Sequence, residues 1–138
     1  MATYNKFDSG VENLAEGVHK WDVDTITIAL TNSAPVAGNT LLSNITQIAY
    51  TNLPTSRVVT ISASSQTSGT YTAVATDKVL TASGGAVATF RYVVVYNDTP
   101  ASPLDPLWCW YDYGVGGVTL ADGETFTVDF GASLYSLV

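Results

Sequence analysis

A chain of 138 residues suffices for one domain that hides about two thirds of its unfolded surface in a single core. Only 12% of its residues are charged, against about 25% in ordinary soluble domains, so Thr, Ser, Asn and Gly must cover much of its surface. The net charge is −7 and the five bases, Lys6, Lys20, Arg57, Lys78 and Arg91, are scattered; without a basic stripe the chain is expected to bind neither nucleic acid nor an anionic membrane.

The N-terminus, MATYNKFDSG, has no apolar core of signal-peptide type, and no window approaches a membrane span, which points to synthesis and folding in the cytoplasm. Phe7, Val11, Leu14, Ala15 and Val18 gather on one face at helical spacing and predict an N-terminal helix over residues 4–20. Ser9 and Glu12 offer a capping box. Gly10 and Gly17 weaken the helix by about 1 kcal/mol each relative to Ala, so it must lie on its own sheet or on a neighbour.

After Trp21 the period changes to two. Residues 25–31 set Ile26, Ile28 and Leu30 on one face; residues 57–62 repeat the theme with Val59 and Ile61; residues 77–82 form a shorter strand ended by Ser83-Gly84-Gly85. Residues 32–44 and 50–56 read as loops, and residues 62–70 as an irregular polar segment. The runs Phe90 to Tyr96 and Leu107 to Tyr113 do not alternate, so each is expected deep in the β-structure with both faces covered. Between them lies a loop, residues 97–106, stiffened by Pro100, Pro103 and Pro106. The turn Ala121-Asp122-Gly123 predicts a hairpin joining residues 118–120 to 124–130, and residues 133–138 form the last strand. The expected fold is mainly β: a single domain, residues 1–138, in which residues 24–138 form an antiparallel, jelly-roll-like β-sandwich behind the helix.

No catalytic set is legible. His19, the single histidine, lies near the end of the expected helix, where a helix terminus accounts for it. There is no G-x-S-x-G elbow, phosphate loop or dinucleotide fingerprint. Glu124 and Asp129 point to opposite faces of one strand and cannot share a glycosidase cleft. Asp22 with Asp24, and Asp98 with Asp105, lack calcium-loop spacing. Cys109 stands alone, which excludes an intrachain disulfide and a cysteine-rich zinc site. The chain is therefore expected to be no enzyme and to carry no metal or cofactor.

Two binding surfaces are candidates. Trp108 and Trp110, two apart in a strand, would share a face with Asp112 and form a sugar platform; the competing reading buries the rings in the core or a subunit contact. Candidate partner contacts are Phe7, Val11 and Leu14 on the helix, and Asp98, Pro100, Pro103, Leu104 and Pro106 on the stiff loop.

The segments YNKFDSGVENLAEGVHKW, DTITIALTNSAPVAGNT, TASGGAVATFRYVVVYNDTPASPLDPLWCWYDYG and VTLADGETFTVDF together resemble a group of small structural proteins of tailed bacteriophages. The resemblance covers nearly the whole chain, and its specific stretches are strand-and-turn signatures without active residues; the segment between Ile48 and Arg57 is short for the group. It implies a virion component assembled in the host cytoplasm. On that basis the expected function is a capsid decoration, or cement, protein that stabilises the head by bridging subunits. Its partners would be the major capsid protein or other virion proteins and further copies of itself, most simply in a trimer. A tail or head–tail connector subunit and a carbohydrate-binding receptor module are the alternatives.

Overall fold

The two apolar runs that fail to alternate occupy the centre of the largest sheet, because only a strand covered on both sides can bury such a run. The structure is a computed structural model and describes residues 2–138. In chain order the elements are β1 (Thr3–Lys6), α1 (Asp8–Ala15), β2 (Ile26–Thr31), a 3-10 turn (Leu42–Asn44), β3 (Val58–Val59), β4 (Ile61–Thr67), β5 (Thr70–Ala75), β6 (Lys78–Thr81), β7 (Val87–Phe90), β8 (Tyr92–Asn97), β9 (Leu107–Asp112), β10 (Val118–Leu120), β11 (Thr125–Val128) and β12 (Tyr135–Leu137). The fold is mainly β and antiparallel, with several sheets layered as a sandwich and one short helix.

The main sheet runs β1-β9-β8-β2-β3, and every residue of β2 and β8 is buried. One face carries Ile26, Ile28, Leu30, Val93, Val95, Cys109 and Tyr111 into the larger core. The other carries Ala29, Tyr92, Val94, Tyr96, Leu107 and Trp110 into a smaller core, closed by Phe7 and by Ile45 and Leu42 beside the 3-10 turn. Burial on both faces thus accounts for the missing alternation.

A β-bulge interrupts β9. Cys109 pairs with Val95 and Leu107 with Tyr96, so Trp108 is the one extra residue between them. The bulge turns Trp108 to the same side as Cys109, into the larger core, while Trp110 stays in the smaller one.

The second layer consists of shorter ladders. The expected hairpin between residues 118–120 and 124–130 does not form, although its turn does: the Glu124 N–H donates to the Ala121 carbonyl at 3.0 Å. Both strands run along one bent partner, β10 beside β7 and β11 beside β6. Gly123 donates to Ala82 at the corner, and Asp122 accepts from the Gly84 N–H. The remaining ladder is β12-β5-β4. Most of the polar segment at residues 62–70 belongs to this ladder, as strand β4 and its tight turn into β5. Its polar side chains are tolerated because most of β4 is exposed.

The N-terminal segment also departs from expectation. Residues 3–6 pair with β9 as a strand, from Thr3 opposite Asp112 to Lys6 opposite Cys109. The helix starts only at Asp8, with Phe7 extended at its N-cap, so Ser9 lies inside the first turn and no capping box forms. It stops at Ala15 because Gly17 takes a left-handed conformation at φ +74°. The apolar spacing that suggested one long helix mixes a strand, a short helix and a loop.

Gly10 is the point where α1 touches the sheet. A Cβ there would sit 3.0 Å from the Trp108 ring and 3.2 Å from its carbonyl oxygen, which also accepts the Phe7 N–H. The ring is buried at 3% exposure, and the carbonyl is held by the Phe7 hydrogen bond. Gly10→Val should therefore destabilise the fold by about 1–3 kcal/mol in denaturant titration, despite the better helix propensity of Val. An unchanged midpoint would mean that α1 does not pack this closely on Trp108.

Candidate functional site

The sugar platform expected at Trp108, Trp110 and Asp112 is not formed. The bulge separates the rings onto opposite faces, and both are buried, at 3% and 9% exposure. The Trp110 ring lies 4.5 Å from the Phe7 ring, centroid to centroid. Asp112 receives two hydrogen bonds of 2.7 Å from the Arg91 guanidinium and a third from the Gly114 N–H, which hold its carboxyl below the usual range. No stacking face remains between the two indoles.

The expected partner contacts divide. Phe7 and Pro106 are buried and cannot meet a partner. Leu104 is 62% exposed and Asp98 lies on the surface, while Pro100 and Pro103 are half-buried. The loop that carries them is pinned at its base: the Asn97 N–H donates to the Pro106 carbonyl, and the Leu42 N–H to that of Asp105. Asp98 and burial together raise the Asp105 carboxyl above its usual range, burial being the larger cause. Among the described residues no three His, Cys, Asp or Glu side chains are grouped to hold a metal. Asp24 is already occupied, accepting from the Lys20 N–H and the Asn97 amide.

Val11 and Leu14 do sit on an open surface. Between α1 and β1 on one side and β12 on the other, the second layer leaves the end of the main sheet uncovered. The result is a furrow of about 750 Å³, lined by Tyr4, Trp108, Tyr111, Phe130, Leu134 and Tyr135 among others. Across Val11, Leu14, Tyr135 and Leu137 it continues into a shallower stretch of about 430 Å³ that reaches Trp21 and Tyr71. Val11 is 47% exposed and Leu137 55%.

An aromatic cluster supports the furrow from beneath. Trp108 meets Tyr135 at 4.8 Å and Trp21 at 5.0 Å, and Trp21 meets Tyr135 at 5.2 Å. Tyr4 leans edge-on against Tyr111 at 5.5 Å. Burial raises the hydroxyl pKa of Tyr4, Tyr111 and Tyr135, and that of Tyr113 to about 12. Trp21 Nε1, Trp108 Nε1 and the Tyr135 hydroxyl are sealed from solvent without a hydrogen-bond partner. These three groups therefore present no donor to an incoming molecule, and apart from Lys6, Lys20, Asp22, Asp129, Ser133 and Ser136 the lining is largely apolar. Sequence reading singled out Val11 and Leu14 as partner contacts and Trp108 as part of a sugar platform, but missed Tyr4, Trp21, Tyr71, Tyr135 and Leu137. Only their distance in sequence concealed them.

Comparison of the chain with protein-family models, curated proteins and solved structures returns no match.

His19 lies under the same cluster and not at a helix terminus, since α1 ends at Ala15. Its ring is buried against Trp108 and Trp21, with Nδ1 3.3 Å from the Asn97 amide. Burial lowers its pKa to about 4, partly opposed by Asp24. Above pH about 6.5 the ring is neutral whether the chain is folded or unfolded. As pH falls from there to about 4, the unfolded chain takes up a proton that the folded chain refuses. Stability should fall over that window by roughly 3 kcal/mol from this group. A His19→Gln protein should lose that part of the slope in denaturant titrations between pH 7 and 4. Coincident slopes would show that the ring is not held neutral.

Proposed function

We propose that this chain is a non-catalytic structural component of a tailed-phage virion, and within that class a decoration protein that bridges subunits of the head. The observation that carries the reading is the destination of its aromatic side chains. Trp21, Trp108, Trp110 and Tyr111 are spent on packing, and the surface left over holds an apolar furrow and a proline-stiffened loop pinned at both ends. Such a surface suits a part that docks, and the sequence resemblance to small phage structural proteins supports the same class.

The mechanism is additive burial. Each copy removes apolar area from water across a junction of the shell, worth about 25 cal/mol per Å², so many weak contacts resist internal pressure together. The loop contacts are Asp98, Pro100, Pro103 and Leu104, with Leu104 the most exposed apolar side chain among them. Its pinned base lowers the entropy lost when the loop docks.

The test mixes recombinant protein with expanded head shells that lack it. Saturable binding that raises the temperature of shell disruption is expected, and Leu104→Glu should weaken it at least tenfold. Binding to tails or connectors alone would transfer the protein to that part of the particle. Binding to no particle component would reject the virion reading.

A further inference from the structure

The furrow has a charge pattern unlike the rest of the chain. Four charged residues line it: Lys6 and Asp129 in the larger stretch, Lys20 and Asp22 in the shallower one. These cancel, so the full net charge of −7 resides elsewhere. Of the other three bases, Arg91 is held by Asp112, Arg57 lies over the Tyr50 ring while donating to the Ile28 carbonyl, and Lys78 stands at the start of β6, outside the furrow and in no salt bridge. Lys6 and Lys20 take part in no salt bridge, the Arg91–Asp112 pair being the single one among the described residues.

Two copies of an acidic chain repel each other wherever their net-negative surfaces meet, and least where the facing patches are neutral. The furrow is neutral, carries both signs, and is flanked by exposed apolar side chains, Val11 and Leu137 foremost. A partner of strongly basic or strongly acidic character would gain nothing from that balance, whereas a second copy brings the same balance to the contact.

We propose that the furrow between α1 and β12 is the surface through which copies of this chain associate, with Val11, Leu14, Tyr135 and Leu137 buried at the contact and Lys6 and Lys20 facing acidic groups of the neighbouring copy. The inference extends the virion reading by naming its self-contact, but it concerns the free protein and stands apart from which particle the protein joins.

The experiment is sedimentation equilibrium of the full chain over a hundredfold range of concentration. Wild type should sediment as two or three copies. Val11→Glu and Leu137→Glu should each weaken association at least tenfold, with far-UV circular dichroism unchanged. Val115→Glu, an exposed apolar residue outside the furrow, should leave the mass unaltered. Lys6→Glu with Lys20→Glu should weaken association more at low salt than at high salt. A monomer at every concentration would overturn the proposal, as would an oligomer that the furrow variants leave intact. Head-shell binding is read separately: a monomer that still binds shells would defeat this inference and spare the virion reading, and an oligomer that binds no particle would do the reverse.

Discussion

One inserted residue organises this protein. Without the bulge at Trp108, strict alternation along β9 would put that indole beside Trp110 in the smaller core. With it, Trp108 enters the larger core, where it meets Trp21, His19 and Tyr135 and lies under Gly10. A single side chain thereby ties the N-terminal helix, the segment after it and the C-terminal strand to the central sheet. The same displacement leaves each face of β9 with one large indole, so both cores are filled from one strand.

That arrangement also sets the shape of the surface. Because α1 is short and rests on Trp108 through a glycine, it lies close against the sheet and leaves a gap between itself and β12. The gap between them becomes the furrow. The buried polar atoms below it carry an energetic cost of about 1–3 kcal/mol each when left unpartnered, which the aromatic packing offsets. The charges that line the furrow, Lys6 with Asp129 and Lys20 with Asp22, cancel on an otherwise acidic chain.

Much of the fold is legible in the sequence. The period-two stretch at Ile26–Leu30 and the non-alternating runs around Val93 and Cys109 identified the central strands, and the fold class followed. Four features were hidden, each for a physical reason. A bulge changes the face of a side chain without changing its spacing, so Trp108 and Trp110 looked paired. Gly17 reads as a weak helix residue in sequence, yet its positive φ makes it a terminator. The turn at Ala121–Glu124 has hairpin chemistry, but tertiary pairing with residues 78–90 captured both of its arms. The furrow drew on Tyr4, Trp21 and Tyr135, which only the folded topology brings together.

The central place of Trp108 can be measured directly by native-state hydrogen exchange on a Trp108→Ala protein, with denaturant titration alongside. A loss of about 3–5 kcal/mol is expected, with amide protection falling together in α1 and β12. A cost no greater than that of truncating the exposed Val115, or protection lost in β9 alone, would contradict it.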